Sequence, residues 1–165
     1  MAVKRTLFTG TVYTIDMSSI KELHERYPKT LFPTIWQHIE SLIQNNQLVS
    51  HIEVHREIKA TTNPKDKLLV WSNKNKKLFQ NIDPCQNSKI PLIQAEYNKG
   101  EWNNKMNRPG PWADPYLIAM AMCEGATIIT QESKTKANRI PPIGNQLGVK
   151  SVNLLEFFEE LKIKL

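Results

Sequence analysis

Residues 113–132 read ADPYLIAMAMCEGATIITQE and hold the clearest structural signal in the chain. Asp114 is suited to the N-cap of a helix, and Pro115 is suited to its first helical position. The apolar residues that follow predict a helix that ends just before Gly125, which takes the C′ position. The continuous apolar run 126–130 then predicts a buried central strand. A helix that leads directly into a buried strand is typical of a parallel α/β sheet.

The rest of the chain repeats this alternation of strands and helices. Further strands are predicted at 12–15, 48–49 and 149–152. Helices are predicted over 20–27, 31–45, 50–59, 66–79 and 154–162, and a polar loop over 98–111. Strands that alternate with helices imply right-handed β-α-β units, and hence a three-layer α/β/α fold with a central parallel sheet.

The composition indicates a globular protein with an anionic partner. The chain has 165 residues, of which 40% are hydrophobic and 23% charged, so we predict a single domain over residues 1–165. The net charge of +6 makes nucleic acid the leading candidate partner, although lysines that only maintain solubility remain an equal alternative. No apolar run reaches the length of a membrane span, so no membrane partner is expected.

Two features of the sequence favour a cytoplasmic location. Cys85 and Cys123 are far apart and lack metal-site spacing, so we predict unpaired cysteines in a reducing compartment. Near the N-terminus, Lys4 and Arg5 are not followed by an apolar run long enough for a signal peptide.

Four acidic residues are placed where they could meet in one cleft. Asp16 ends the strand 12–15, Asp114 opens a helix, and Glu132 follows the strand 126–130 by two residues. Because the carboxyl ends of parallel strands share one edge of a sheet, these side chains are expected to converge. Such a cluster requires bound cations or raised pKa values. Oxygen ligands favour Mg²⁺ or Mn²⁺ over zinc.

Each of these acids also has a purely structural interpretation. Asp16 could cap the next helix, but Ser18 and Ser19 are predicted to cap it, which leaves Asp16 available for function. Asp114 alone is ordinary capping chemistry, and only its expected position opposite Asp16 favours a functional role.

The fourth carboxylate comes from the predicted helix 50–59. Ser50 and Glu53 have the spacing of a capping box, which gives Glu53 a local, supporting role. Glu57 lies one turn further along the helix and has no capping role, so we predict that it is the fourth carboxylate of the acidic cluster. His51 and His55 are spaced to grip zinc, but no third ligand is evident and a zinc site is disfavoured.

Basic residues near the acids are candidates for binding backbone phosphates. Lys134, Lys136 and Arg139 follow Glu132 and are predicted to contact RNA. A second basic run at 74–77 is better explained as a solvated helix face.

Four motifs occur in the order seen in one nuclease family: YTIDMS at 13–18, VHREI at 54–58, ADPYLIAMA at 113–121 and TQE at 130–132. Their order and spacing resemble those of PIN-domain nucleases across essentially the whole chain. The segments 32–36, 112–121 and 140–142 are similar to a bacterial PIN subfamily described as of unknown function and related to VapC-like toxins.

The resemblance implies a strand order of 3-2-1-4-5 and a metal-dependent endoribonuclease, the toxin of a toxin–antitoxin pair. It implies that Ser18 supports Asp16, that Thr130 helps to position the metal, and that Glu132 replaces a commoner Asp. The implied partner is an antitoxin, a small DNA-binding protein. Because such domains often pair, a homodimer is also expected. The alternatives are a non-catalytic RNA-binding or interaction module and a DNA nuclease.

Overall fold

The computed structural model describes residues 10–164, and its centre is a sheet of five parallel strands. The strands are β1 (Tyr13–Ile15), β2 (Leu48–His51), β3 (Phe79–Gln80), β4 (Thr127–Ile129) and β5 (Ser151–Val152). Their order is β3-β2-β1-β4-β5, and each neighbouring pair is parallel. The predicted α/β fold and strand order are therefore confirmed. The prediction about Lys4 and Arg5 lies outside the described residues.

Helices surround this sheet. They are α1 (Met17–Arg26), α2 (Pro33–Gln44), α3 (Ile52–Thr61), α4 (Lys67–Lys74), α5 (Pro84–Glu96), α6 (Lys99–Met106), α7 (Asp114–Glu124), α8 (Ile140–Gln146) and α9 (Leu154–Glu160). The central helix α7 contacts α5 on one side and β1, β2 and β4 on the other. This position explains why α7 is apolar nearly all round, with residues 117–121 all buried.

The predicted helix over 66–79 is wrong at its C-terminal end. Helix α4 stops at Lys74, and a short 3-10 turn leads into β3. Phe79 pairs with Ser50 of β2 and is only 8% exposed. Pairing in the sheet therefore places this residue in a strand, although the sequence pattern favours a helix.

The predicted loop over 98–111 is also wrong, because it contains α6. The side chain of Asn98 caps this helix by accepting the N–H of Glu101 at 2.8 Å. One buried residue, Trp102, anchors the helix by contacts with the rings of Tyr97 and Trp112. A single apolar anchor is too weak a pattern to mark a helix in the sequence.

The prediction of unpaired cysteines is wrong as well. Cys85 in α5 and Cys123 in α7 form a disulfide, with their Cα atoms 6.1 Å apart. The cysteines are 38 residues apart in sequence, and the packing of α5 against α7 brings them together. Among residues 10–164, no helix is both long enough and apolar enough to cross a bilayer.

Candidate active site

Asp16 lies at the carboxyl end of β1 and is the N-cap of α1. Its Oδ1 accepts the backbone N–H of Ser19 at 2.9 Å. Ser18 and Ser19 lie inside the helix, so the prediction that they supply the cap is wrong. A capping role and a place in the acidic cluster therefore belong to the same carboxylate.

Two further side chains hold Asp16 in place. Ser18 donates its hydroxyl to the carboxylate, 2.8 Å from each oxygen, and Thr130 donates to Oδ2 at 2.5 Å. The resemblance gave Ser18 this supporting position beside Asp16, and the metal-positioning role that it gave Thr130 stays a prediction. Asp16 is only 4% exposed, and burial raises its pKa to about 6. The hydrogen bonds from Thr130, Ser19 and Ser18 lower this pKa, whereas the nearby charge of Glu132 raises it further.

Asp114 is the first residue of α7 rather than its N-cap. The cap position belongs to Ala113, so the carboxylate of Asp114 makes no capping hydrogen bond. Burial raises the pKa of Asp114 well above its usual range, and the charges of Glu132, Asp16 and Glu57 raise it further. The hydrogen bond from the side chain of Trp112 lowers this pKa, so the side chain faces the acidic cluster with Trp112 as its local partner.

Glu57 reaches the same cleft from α3. Burial raises its pKa to about 7, and the charges of Asp16 and Glu132 add to this effect. The backbone N–H of Ala113 lies near enough to favour the charged carboxylate. The predicted convergence of Glu57 with the strand-end acids is therefore present in the structure.

Glu132 joins the cluster through the loop after β4. Its Oε2 accepts the backbone N–H of Ile140 at 2.7 Å, at the first residue of α8. Its own N–H donates to the hydroxyl of Thr130 at 3.1 Å. Glu132 thus connects the end of β4 to the start of α8, and it also contacts the Thr130 hydroxyl that holds Asp16.

Glu53 lies at the edge of this group. Its carboxylate pairs with Arg56, and its charge contributes to the raised pKa of Glu57. The predicted capping box is wrong, because His51 is the N-cap of α3 and its Nδ1 accepts the N–H of Glu53. Ser50 instead belongs to β2 and donates its hydroxyl to the carbonyl of Ile15 at 2.6 Å.

His51, the N-cap of α3, and His55, inside α3, have separate partners. Nε2 of His51 lies 3.0 Å from the side-chain oxygen of Gln86, and Nε2 of His55 lies 3.0 Å from that of Asn73. The structure therefore gives each ring a structural contact in a different direction.

The donor set of the cluster fits a hard divalent cation in its chemistry. Asp16, Glu57, Asp114 and Glu132 supply only carboxylate oxygens, and their mutual repulsion is the kind that a cation relieves. Within the described part of the chain, no three His, Cys, Asp or Glu side chains are arranged so that they could hold one ion. Both oxygens of Asp16 are instead occupied by hydrogen bonds.

A cleft of about 360 Å³ is lined by Glu57, Asp114 and Glu132, and basic residues line it too. Its wall includes Glu57, Asp114, Glu132, Lys105, Arg108 and Arg139. Of the three predicted phosphate-binding residues, only Arg139 lies here. Lys134 pairs with Glu156 at 2.6 Å and lines another cavity, and Lys136 is exposed outside the cleft.

The sequence-based prediction missed Lys105 and Arg108 because it assigned their segment to a polar loop. Their closeness to the Trp112-Ala113-Asp114 motif is the signal that could have identified them. It also missed Tyr97, whose hydroxyl is buried under this wall and makes no hydrogen bond among the described residues. Burial and the charges of Asp114 and Glu132 raise the pKa of Tyr97.

Comparison with known proteins places the chain in a family. Residues 13–165 match the profile of a family described as "Domain of unknown function (DUF4411)". The chain belongs to the DUF4411 family. No curated protein matches this DUF4411 chain.

The DUF4411 fold has a counterpart of known structure. It is similar to a chain in the crystal structure of VapBC2 from Rickettsia felis bound to a DNA fragment from the promoter. The TM-score is 0.51 and the identity 18%, over 87% of this chain and 98% of that one. An identity this low shows the fold alone, which is the α/β/α arrangement with strand order 3-2-1-4-5 that the resemblance implied.

Proposed function

We propose that this DUF4411 protein is a metal-dependent endoribonuclease that hydrolyses RNA phosphodiester bonds. The observation that carries the proposal is that Glu57, Asp114 and Glu132 line one cleft, with Asp16 close enough for its charge to raise the pKa values of Glu57 and Asp114. Carboxylates gathered at one sheet edge are costly to keep ionised at neutral pH, and bound cations offset that cost.

The four carboxylates are the candidate ligands of Mg²⁺ or Mn²⁺, and they would have to draw together on binding, because no three of them in the described residues are arranged to hold one ion. Such ions, when bound, activate water and stabilise charge on the phosphate oxygens. The chain itself supplies the positioning. Ser18 and Thr130 fix the carboxylate of Asp16, and the hydrogen bond from Ile140 fixes Glu132. Asp114 has no capping duty, so its carboxylate is available to the cleft.

We also propose that the protein is the toxin of a toxin–antitoxin pair. The fold similarity to VapBC2, which was crystallised with DNA from its promoter, supports this proposal together with the motif resemblance. The partner would be a small DNA-binding antitoxin.

The competing proposal is a non-catalytic RNA-binding module. The hydrogen bonds of Asp16 favour it, because they satisfy both carboxylate oxygens without an ion. It predicts RNA binding that is sensitive to salt and indifferent to chelators.

A cleavage assay on the full chain separates these proposals. End-labelled RNA and DNA are incubated with the protein in Mn²⁺, in Mg²⁺ and in a chelator, with Asp114→Asn as the test variant. Loss of a direct metal ligand should reduce RNA cleavage by at least about a hundredfold. Asp83→Asn is the matched control, since Asp83 caps α5 by accepting the N–H of Gln86 at 2.8 Å and does not line the cleft.

The outcomes of this assay are distinct. Cleavage of RNA that requires the metal and is retained in Asp83→Asn supports the proposal. Preferential cleavage of DNA would make the protein a DNA nuclease. Cleavage that survives both the chelator and Asp114→Asn would show that the acidic cluster is not the active site.

A further inference from the structure

Three basic side chains share the cleft with the carboxylates, and two of them are unpaired. Arg108 and Arg139 line the cleft, and within residues 10–164 neither forms an ion pair or a side-chain hydrogen bond. Glu132 and Asp114 line the same cleft, yet the cations and the acids do not pair with each other. Opposite charges that face one space without pairing remain available to a ligand that carries anionic oxygens.

We propose that Arg108 and Arg139 form a phosphate-binding wall that grips the backbone of a single-stranded nucleic acid beside the acidic cluster. The inference rests on the proposed function, since it names the residues that hold the substrate. It assigns substrate binding to the segment 97–112 together with Arg139.

One buried donor in the segment 97–112 supports a ligand at this place. The hydroxyl of Tyr97, a residue only 3% exposed, has no hydrogen-bond partner in the described structure, although the charges of Asp114 and Glu132 act on it. The side chain of Trp112 lines the cleft and is directed to Asp114, whose pKa is lowered by their hydrogen bond. A buried donor without a partner is unfavourable, and water carried by an incoming phosphate would satisfy the hydroxyl of Tyr97.

The wall is held in position by an aromatic cluster. The rings of Tyr97, Trp102 and Trp112 contact one another with centroids between 5.2 and 5.8 Å apart. Lys105 lies over the Trp112 ring, 5.2 Å from its centroid, and pairs with Glu101 at 3.3 Å. Lys105 therefore helps to hold the phosphate-binding wall in position through its contacts with Trp112 and Glu101.

The turn that carries Arg108 is anchored at both ends by this cluster. It runs from α6 through Pro109 and Gly110 to Trp112, and Gly110 has a φ of 96° that side chains rarely adopt. A fixed backbone limits the ordering that Arg108 must undergo on binding, which favours affinity.

The basic residues predicted from the sequence provide a matched control. Lys134 is engaged with Glu156, and Lys136 is exposed outside the cleft. Together they carry the same charge as Arg108 and Arg139 on the same molecule. If only overall charge mattered, either pair would contribute equally to binding.

The test is a binding titration in the Asp114→Asn background, so that cleavage does not enter the measurement. A fluorescent single-stranded RNA of about twelve nucleotides is titrated by anisotropy at several salt concentrations. Arg108→Gln and Arg139→Gln should each weaken binding about tenfold, because a hydrogen bond to a charged group is lost. Each should also reduce the slope of log affinity against log salt by about 0.7.

Two further variants sharpen the result. Tyr97→Phe should weaken binding by about threefold without changing the salt slope, since it removes a neutral donor. Lys134→Gln combined with Lys136→Gln should leave affinity within about twofold of the parent. Thermal melts confirm that each variant is folded before binding is scored.

The inference is overturned if the parent does not bind the RNA, if both arginine variants bind as tightly as the parent, or if the lysine double variant loses as much affinity as they do. Absence of cleavage by the wild-type protein would count against the proposed function alone, because the binding results do not depend on catalysis.

Discussion

Replacement of Asp16 by asparagine should change the free energy of unfolding in a pH-dependent way. The pKa of this buried carboxyl rises from 3.8 to about 6 in the folded protein. The folded state therefore binds the proton more tightly, and the resulting stability is full below pH 3.8 and is lost as the pH rises through about 6. At about 1.4 kcal/mol for each pKa unit, the loss is about 3 kcal/mol.

Asparagine cannot ionise, so the free energy of unfolding of Asp16→Asn does not fall in this way as the pH rises. The variant should gain up to about 3 kcal/mol relative to wild type between pH 4 and pH 7.5. The amide also disturbs the hydrogen bonds from Ser18 and Thr130, at a cost of about 1 kcal/mol. The preference of these hydrogen bonds for the charged carboxylate is already contained in the pKa of about 6, so the change in the stability difference between the two pH values reports the titration of Asp16.

The assay is urea unfolding of both proteins in a chelator, followed by tryptophan fluorescence at pH 4, 5, 6 and 7.5. Asp83→Asn is the control, because it alters a capping aspartate outside the cluster. A stability difference between Asp16→Asn and wild type that stays constant over this range, or that falls as pH rises, would refute the conclusion that burial makes the charged form of Asp16 unfavourable.

Four other measurements test the site and its frame. Mn²⁺ at pH 7.5 should raise the melting temperature of wild type more than that of Asp16→Asn, since the ion binds the folded cluster. Thr130→Val should lower stability by about 2 kcal/mol at pH 7.5 and by less at pH 4, because its hydroxyl bonds the charged carboxylate. Cys85→Ser should cost about 4 kcal/mol in urea unfolding without reductant, from the 38-residue separation to Cys123, and dithiothreitol should abolish the difference. Gly125→Ala should cost about 1 kcal/mol, since Gly125 has a φ of 63°, and an unchanged midpoint would contradict this.

The parts of the fold that could be predicted are those with strong local signals. Pro115 and Gly125 bracket α7 almost as the sequence indicates, and Gly125 has the left-handed conformation that a C′ glycine requires. The acids at the ends of β1 and β4 follow from strand patterns alone. Their convergence with Glu57 follows from the parallel order of the strands.

The parts that could not be predicted depend on distant contacts. Ser50 has the spacing of a capping box, but it lies in β2. Its hydroxyl donates a hydrogen bond to the carbonyl of Ile15 on the neighbouring strand. Phe79 continues a helical pattern until pairing with β2 makes it a strand. Arg108 lies in a polar segment whose position is fixed by the buried ring of Trp102. In each case a tertiary contact outweighs the local preference.

The cost of the acidic cluster argues that it is retained for binding. A chain optimised for stability alone would place neutral side chains at Asp16 and Asp114, because their burial makes ionisation unfavourable. Conflicts of this kind are expected at functional sites. Asp114 lines the same cleft as Arg108 and Arg139, which are unpaired within the described residues. A ligand that combines cations for the acids with phosphates for the arginines would resolve both imbalances together, and metal-bound nucleic acid has that composition.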